Sequence, residues 1–122
     1  MPRSSATSHE LARVDLLSGM PGEMLLRLAK RMEREEVAPG TVIVREGDPG
    51  ERFYVVFAGM LSVTQASGAS RNILRPGDYF GEVALAMHIP RTATVAAISP
   101  AVVASCDRET FDEFLRPLFA ED

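Results

Sequence analysis

The sequence predicts a mainly β domain, an antiparallel roll or sandwich with helices at its two ends, and three observations carry that expectation. After Val37 come six short runs rich in β-branched and aromatic residues, TVIVR, RFYVVF, MLSVTQ, RNILR, TATVAAI and AVVASC. They are separated by turn signals: PGT, GDPGE, AG, ASGAS, RPGD and SP. A stretch with helical periodicity precedes them, and a second one follows.

Taken in order, the first ten residues, MPRSSATSHE, are polar and are expected to fray. HELARVDLL then suits a short helix. In MPGEMLLRLAKRMEREEV, residues 20–37, Met24, Leu25, Leu28, Ala29 and Met32 recur at helical spacing, with Arg27, Lys30, Arg31, Arg34 and Glu35 on other faces. That pattern predicts an amphipathic helix lying on an apolar surface. The cluster Glu33, Glu35 and Glu36 reads as its solvated end. Each of the six β-rich runs is too short to be a helix, and their close spacing favours antiparallel pairing. Asp107 is placed to cap a final helix whose Phe111, Phe114, Leu115 and Leu118 form one apolar face. With no internal repeat or low-complexity tract, residues 11–122 read as one domain behind a frayed segment 1–10.

Composition sets limits on function. The 122 residues are 46% hydrophobic and 25% charged, ordinary globular usage, and the formal net charge is −4. No broad basic surface is implied, so no nucleic-acid partner is expected; this chain is also expected to make no membrane contact of its own. Cys106 is the single cysteine, which excludes an internal disulfide and a thiolate metal cluster and fits a reducing, cytoplasmic setting. The first residues carry no apolar core of the secretory kind, and Ser99 and Pro100 interrupt the longest apolar stretch. His9 and His88 are too few for a metal cage or a Ser/His/Asp triad. No phosphate loop of the G-x-x-x-x-G-K-S/T type occurs. No catalytic residue, metal or cofactor is therefore expected, and the chain is not read as an enzyme.

The segment GDYFGEVALAMHIPRTATV, residues 77–95, carries most of the chemistry. Phe80 is expected to enter the core, Gly81 to allow close backbone approach, and EVALAM to form a helical turn whose first amides lack internal acceptors. Arg91 follows Pro90 and offers a rigid fork of donors to a phosphate. Glu82, an acceptor when ionised, suits a hydroxyl group or Arg91 itself. Two readings stay open on these residues alone: a ribose-phosphate site, or a Glu82–Arg91 ion pair bracing a surface loop.

The segment resembles the phosphate-binding cassette of cyclic nucleotide-binding domains, the family of kinase regulatory subunits, cyclic-nucleotide-gated channels and catabolite activators. Phe80, Gly81, Glu82, Ala84, Leu85, Pro90, Arg91, Ala93, Thr94 and Val95 carry the match, with the family's spacing from Glu82 to Arg91. VIVREGDPGERFYVVFAG matches the family's earlier strand-turn-strand block, and the resemblance runs from about residue 12 to 116.

The resemblance implies an antiparallel β-roll of the double-stranded β-helix, or jelly-roll, type with N- and C-terminal helices, and cAMP or cGMP as ligand. It implies that Arg91 neutralises the cyclic phosphate and that amides around Val83, Ala84 and Ala93 add donors. Glu82 would take the ribose 2′-hydroxyl. Thr92 either reaches the phosphate or a guanine edge or is a plain strand threonine. Val63, Asn72 and Leu74 would wall the base, Asn72 reading a purine edge or pointing to water. His88 stands where many members have glycine. A covering lid helix and a DNA-reading helix-turn-helix are expected to be absent from this chain. The expected function is a non-catalytic sensor module acting on an effector protein or domain outside the chain. The alternative is a ligand-free interaction or scaffold domain on the same fold.

Overall fold

A computed structural model describes residues 4–68 and 71–119. Among the described residues nine strands form two antiparallel sheets. The five-stranded sheet runs β1 (Ser4–Ser5), β2 (Glu33–Val37), β9 (Ala101–Asp107), β4 (Arg52–Ala58), β7 (Tyr79–Phe80). The four-stranded sheet runs β3 (Val42–Val44), β8 (Thr94–Ala97), β5 (Leu61–Thr64), β6 (Arg71–Leu74). Helices α1 (Ser8–Leu11) and α2 (Gly22–Lys30) precede the roll, and α3 (Glu82–Met87) interrupts it. A continuous helical run closes the chain: α4 (Arg108–Thr110), a π-helical segment (Phe111–Leu115) and α5 (Arg116–Phe119). The expected mainly β roll with flanking helices is what the chain forms.

Strand alternation builds two cores, because successive side chains point to opposite faces. From β4 and β9, Phe53, Val55, Ala104 and Cys106 face the helices and pack with Leu11, Leu28, Met32, Leu85, Phe111 and Leu115. Val56 and Val103 face the other way, into the roll, with Leu61, Leu74, Phe80, Val95 and Ala97. Burial pushes the Cys106 thiol up to about 12, so it behaves as a small apolar side chain.

Two expectations need correction. The amphipathic helix expected over 20–37 ends at Lys30, and Glu33–Val37 is a strand paired with Ala101–Ser105. The apolar β9 needs backbone partners on both edges; β4 supplies one, and EREEV supplies the other while turning Glu35 and Glu36 to solvent. The HELARVDLL helix is broken into α1 and a 3-10 turn at Asp15–Leu17. Within the first ten residues, Ser4–Ser5 is a strand and α1 begins at Ser8. Ser4 and Ser5 pair with Arg34 and Glu33, and Thr7 and Glu10 form a reciprocal capping box at α1. Residues 1–3 lie outside the described residues.

Among the described residues no helix is long and apolar enough to cross a membrane. None of the described His, Cys, Asp or Glu residues form a group of three or more able to hold a metal.

Candidate nucleotide site

The RPGD turn delivers the chain from β6 to β7: Asp78 Oδ2 accepts from the Arg75 amide at 2.8 Å, and Gly77 N donates to Val56 O at 2.9 Å. Tyr54 of β4 lies opposite Phe80 of β7, and their rings stack 4.7 Å apart and 1° from parallel. The next residue, Gly81, has φ 97°, the left-handed region that glycine enters without strain. A Cβ there would stand 2.8 Å from the Arg52 carbonyl oxygen and 2.8 Å from Arg91 Nη1. Helix α3 then runs from Glu82 and ends at His88, itself left-handed at φ 54°, whose amide donates to Ala84 O. That geometry explains why glycine suits position 88; His88 is exposed, as expected.

Arg91 is tied down at both ends. Its amide donates to Asp48 O at 2.8 Å, and its own carbonyl accepts from Gly47 N at 2.8 Å. The residue is only 7% exposed. Nη2 donates to Arg52 O at 2.8 Å and Nη1 to Gly81 O at 3.3 Å, while the guanidinium carbon sits 5.9 Å from the Tyr54 ring centre. Burial pulls the guanidinium pKa below its ordinary value, with Tyr54 acting in the opposite sense. The Glu82–Arg91 brace that the sequence left open is not formed. Among the described residues Arg91 has no carboxylate ion-pair partner, and the carboxylate of half-buried Glu82 makes no hydrogen bond or ion pair. The amides of Val83, Ala84 and Ala93 likewise donate to no acceptor among those residues.

These groups line one cavity of about 210 Å³. All eleven residues singled out from the sequence contribute to its wall: Val63, Asn72, Leu74, Phe80, Gly81, Glu82, Val83, Ala84, Arg91, Thr92 and Ala93. Leu74 and Phe80 are buried, and Val63 is half-buried beside them. Asn72 is exposed at the rim, its Oδ1 accepting from the Ile73 amide at 2.9 Å. Thr92 is also exposed, and its carbonyl accepts from Gln65 Nε2 at 3.1 Å.

Val44, Tyr79 and Val95 complete the wall and were not among the eleven. Tyr54 and the Arg52 carbonyl, which hold the guanidinium, were also missed. The alternation of RFYVVF contained the signal, since it puts residues 52, 54 and 56 on the inward face. Gly50 was missed too: a Cβ there would collide with the Ala84 side chain and lie 3.3 Å from the guanidinium carbon.

The family profile of the cyclic nucleotide-binding domain matches residues 34–117. A cAMP-dependent protein kinase regulatory subunit of Dictyostelium discoideum is 36% identical over 115 residues, covering 88% of this chain and 35% of that protein. The chain thus spans about a third of the length of that relative. The regulatory domain of Toxoplasma gondii PKA crystallised with cAMP is 31% identical, with a TM-score of 0.84, covering 91% of this chain and 44% of that one. The regulatory subunit of a cAMP-independent protein kinase A from Trypanosoma cruzi, bound to guanosine, is 29% identical, with a TM-score of 0.82, covering 91% and 41%. With the profile spanning most of its length and the cassette in the family's order on a β-roll, the chain belongs to the cyclic nucleotide-binding domain family.

Proposed function

We propose that this chain is a non-catalytic sensor module that binds cAMP or cGMP in the cavity under α3. One observation carries the reading: an arginine only 7% exposed, with no carboxylate partner among the described residues, lines a cavity together with Val83, Ala84 and Ala93, whose amides are unused. A buried cation without a counter-ion is costly unless a ligand supplies the anion. Arg91 would pair with the cyclic phosphate, with Val83, Ala84 and Ala93 adding amide donors. Glu82, an unoccupied acceptor, would take the ribose 2′-hydroxyl. Val63 and Leu74 offer an apolar face to the base, with Asn72 and Thr92 at its rim. The relatives are regulatory subunits, which supports a role in passing the bound state to an effector outside this chain. A protein kinase catalytic subunit in the cytoplasm fits that role best.

Calorimetric titration with cAMP and then cGMP tests the proposal. Saturable binding of at least one is expected. Arg91→Ala should weaken it by about 2–5 kcal/mol, the scale for truncating one member of a buried charge pair. Glu82→Ala should lose less, and mainly for ribose rather than 2′-deoxyribose ligands. No binding of either nucleotide would leave a ligand-free interaction domain, and equal affinity in Arg91→Ala would remove the phosphate role.

A further inference from the structure

The side of Arg91 away from the cassette raises a separate question, namely what offsets its charge before any ligand arrives. A carboxylate would serve, but it would take the same in-plane N–H donors that a phosphate needs. The structure instead places an aromatic ring there. Tyr54 stands two residues after Arg52 on β4, so one strand presents both a carbonyl to Nη2 and a ring to the guanidinium. A ring acts on the cation through its face and consumes no N–H. Of the five donors of the guanidinium, two go to the carbonyls of Gly81 and Arg52, and the rest have no acceptor among the described residues.

The pose of the ring is set by register. Tyr54 pairs across the ladder with Phe80 and stacks on it, and Phe80 directly precedes the glycine that accepts from Nη1. The phenol hydroxyl makes no hydrogen bond among the described residues. We infer that Tyr54 is a positioning residue for Arg91, its ring standing in for a counter-ion so that the guanidinium is held in place with its donors free for the cyclic phosphate. The inference rests on the nucleotide reading above.

Tyr54→Phe and a series of phenylalanines with one, two and three ring fluorines at position 54 keep the shape while draining the ring's negative face. Each variant would be titrated with cAMP and with adenosine, which lacks the phosphate. Tyr54→Phe should bind cAMP within about twofold of the unmodified chain, and the fluorine series should lose about tenfold overall, step by step. Adenosine affinity should stay constant through the series. A flat cAMP response, or an equal loss for adenosine, overturns the positioning role. Failure of the unmodified chain to bind cAMP would instead remove the nucleotide reading, and this inference with it.

Discussion

Two neutral carbonyls and a ring do not restore the hydration that a guanidinium loses on burial, so Arg91 leaves a site short of one negative charge. What keeps the shortfall in place is Gly81. A methyl group there would crowd both the Arg52 carbonyl and Nη1 and would force a left-handed conformation on a side-chain-bearing residue. Gly81→Ala should therefore lower stability in urea by about 1–3 kcal/mol and weaken nucleotide binding. Gly40→Ala is the control, since Gly40 shares the positive φ, has nothing within 4 Å of its Cβ position and does not touch Arg91. It should show the backbone cost without the affinity loss; equal effects at both glycines would mean that crowding at Arg91 is unimportant. The legible part of the site follows the same logic. Residues 80–84 and 91–93 sit on one local hairpin of sequence, where spacing alone sets their relations. Tyr54, Gly50 and Val44 reach the guanidinium or the cavity only through strand register and a distant loop, which local spacing does not encode.

Among elements, α3 is held from outside the cassette. The Leu85 carbonyl accepts from Arg108 Nη1 at 2.9 Å and from Arg116 Nη2 at 3.4 Å, while Arg108 Nη2 donates to Gly50 O at 3.2 Å. Two cations near the end of α3 suit the negative end of its dipole. Arg108 is placed by its neighbour Asp107, which caps the C-terminal run by accepting from the Thr110 amide at 2.9 Å, as the sequence predicted. That backbone hydrogen bond holds the Asp107 carboxyl below its usual value. A lowered carboxylate pKa adds stability that is present above the unfolded-state value and lost as pH falls through the folded one. Asp107→Ala should cost about 1 kcal/mol near neutral pH. The gap to the parent chain should narrow in acid, below the ordinary Asp range, and Asp107→Asn should retain most of the cap at both pH values; a gap independent of pH would assign the loss to something other than the charged cap. Two elements escaped the sequence reading for different reasons. EREEV carries the charge pattern of a helix surface, and only the unpaired edge of β9 makes it a strand; β7, at two residues, is too short to show a period.

At the scale of the whole molecule, the five-stranded sheet belongs to both cores, helices on one face and the second sheet on the other. The candidate cavity is walled by β3, β5, β6 and β8 of the second sheet, by β7 of the first and by α3. Leu85 of α3 is fully buried with Phe111 and Leu115 of the C-terminal run, so the cassette is part of the helical core as well. A site assembled from both sheets and a helix exists only in the folded chain. A ligand bound there adds RT ln(1 + [L]/Kd) to stability, about 2.7 kcal/mol at a hundredfold excess over Kd. For a chain of this size each kcal/mol raises Tm by about 4 °C, so cAMP or cGMP at that excess should raise it by roughly 10 °C. Arg91→Ala at the same nucleotide concentration should show little of that shift, because the occupancy, not the salt or the nucleotide itself, supplies it. Circular dichroism at strand and helix wavelengths should move together, since both cores meet in one sheet. A shift of equal size in Arg91→Ala would mean that the nucleotide stabilises the fold from a place other than this cavity.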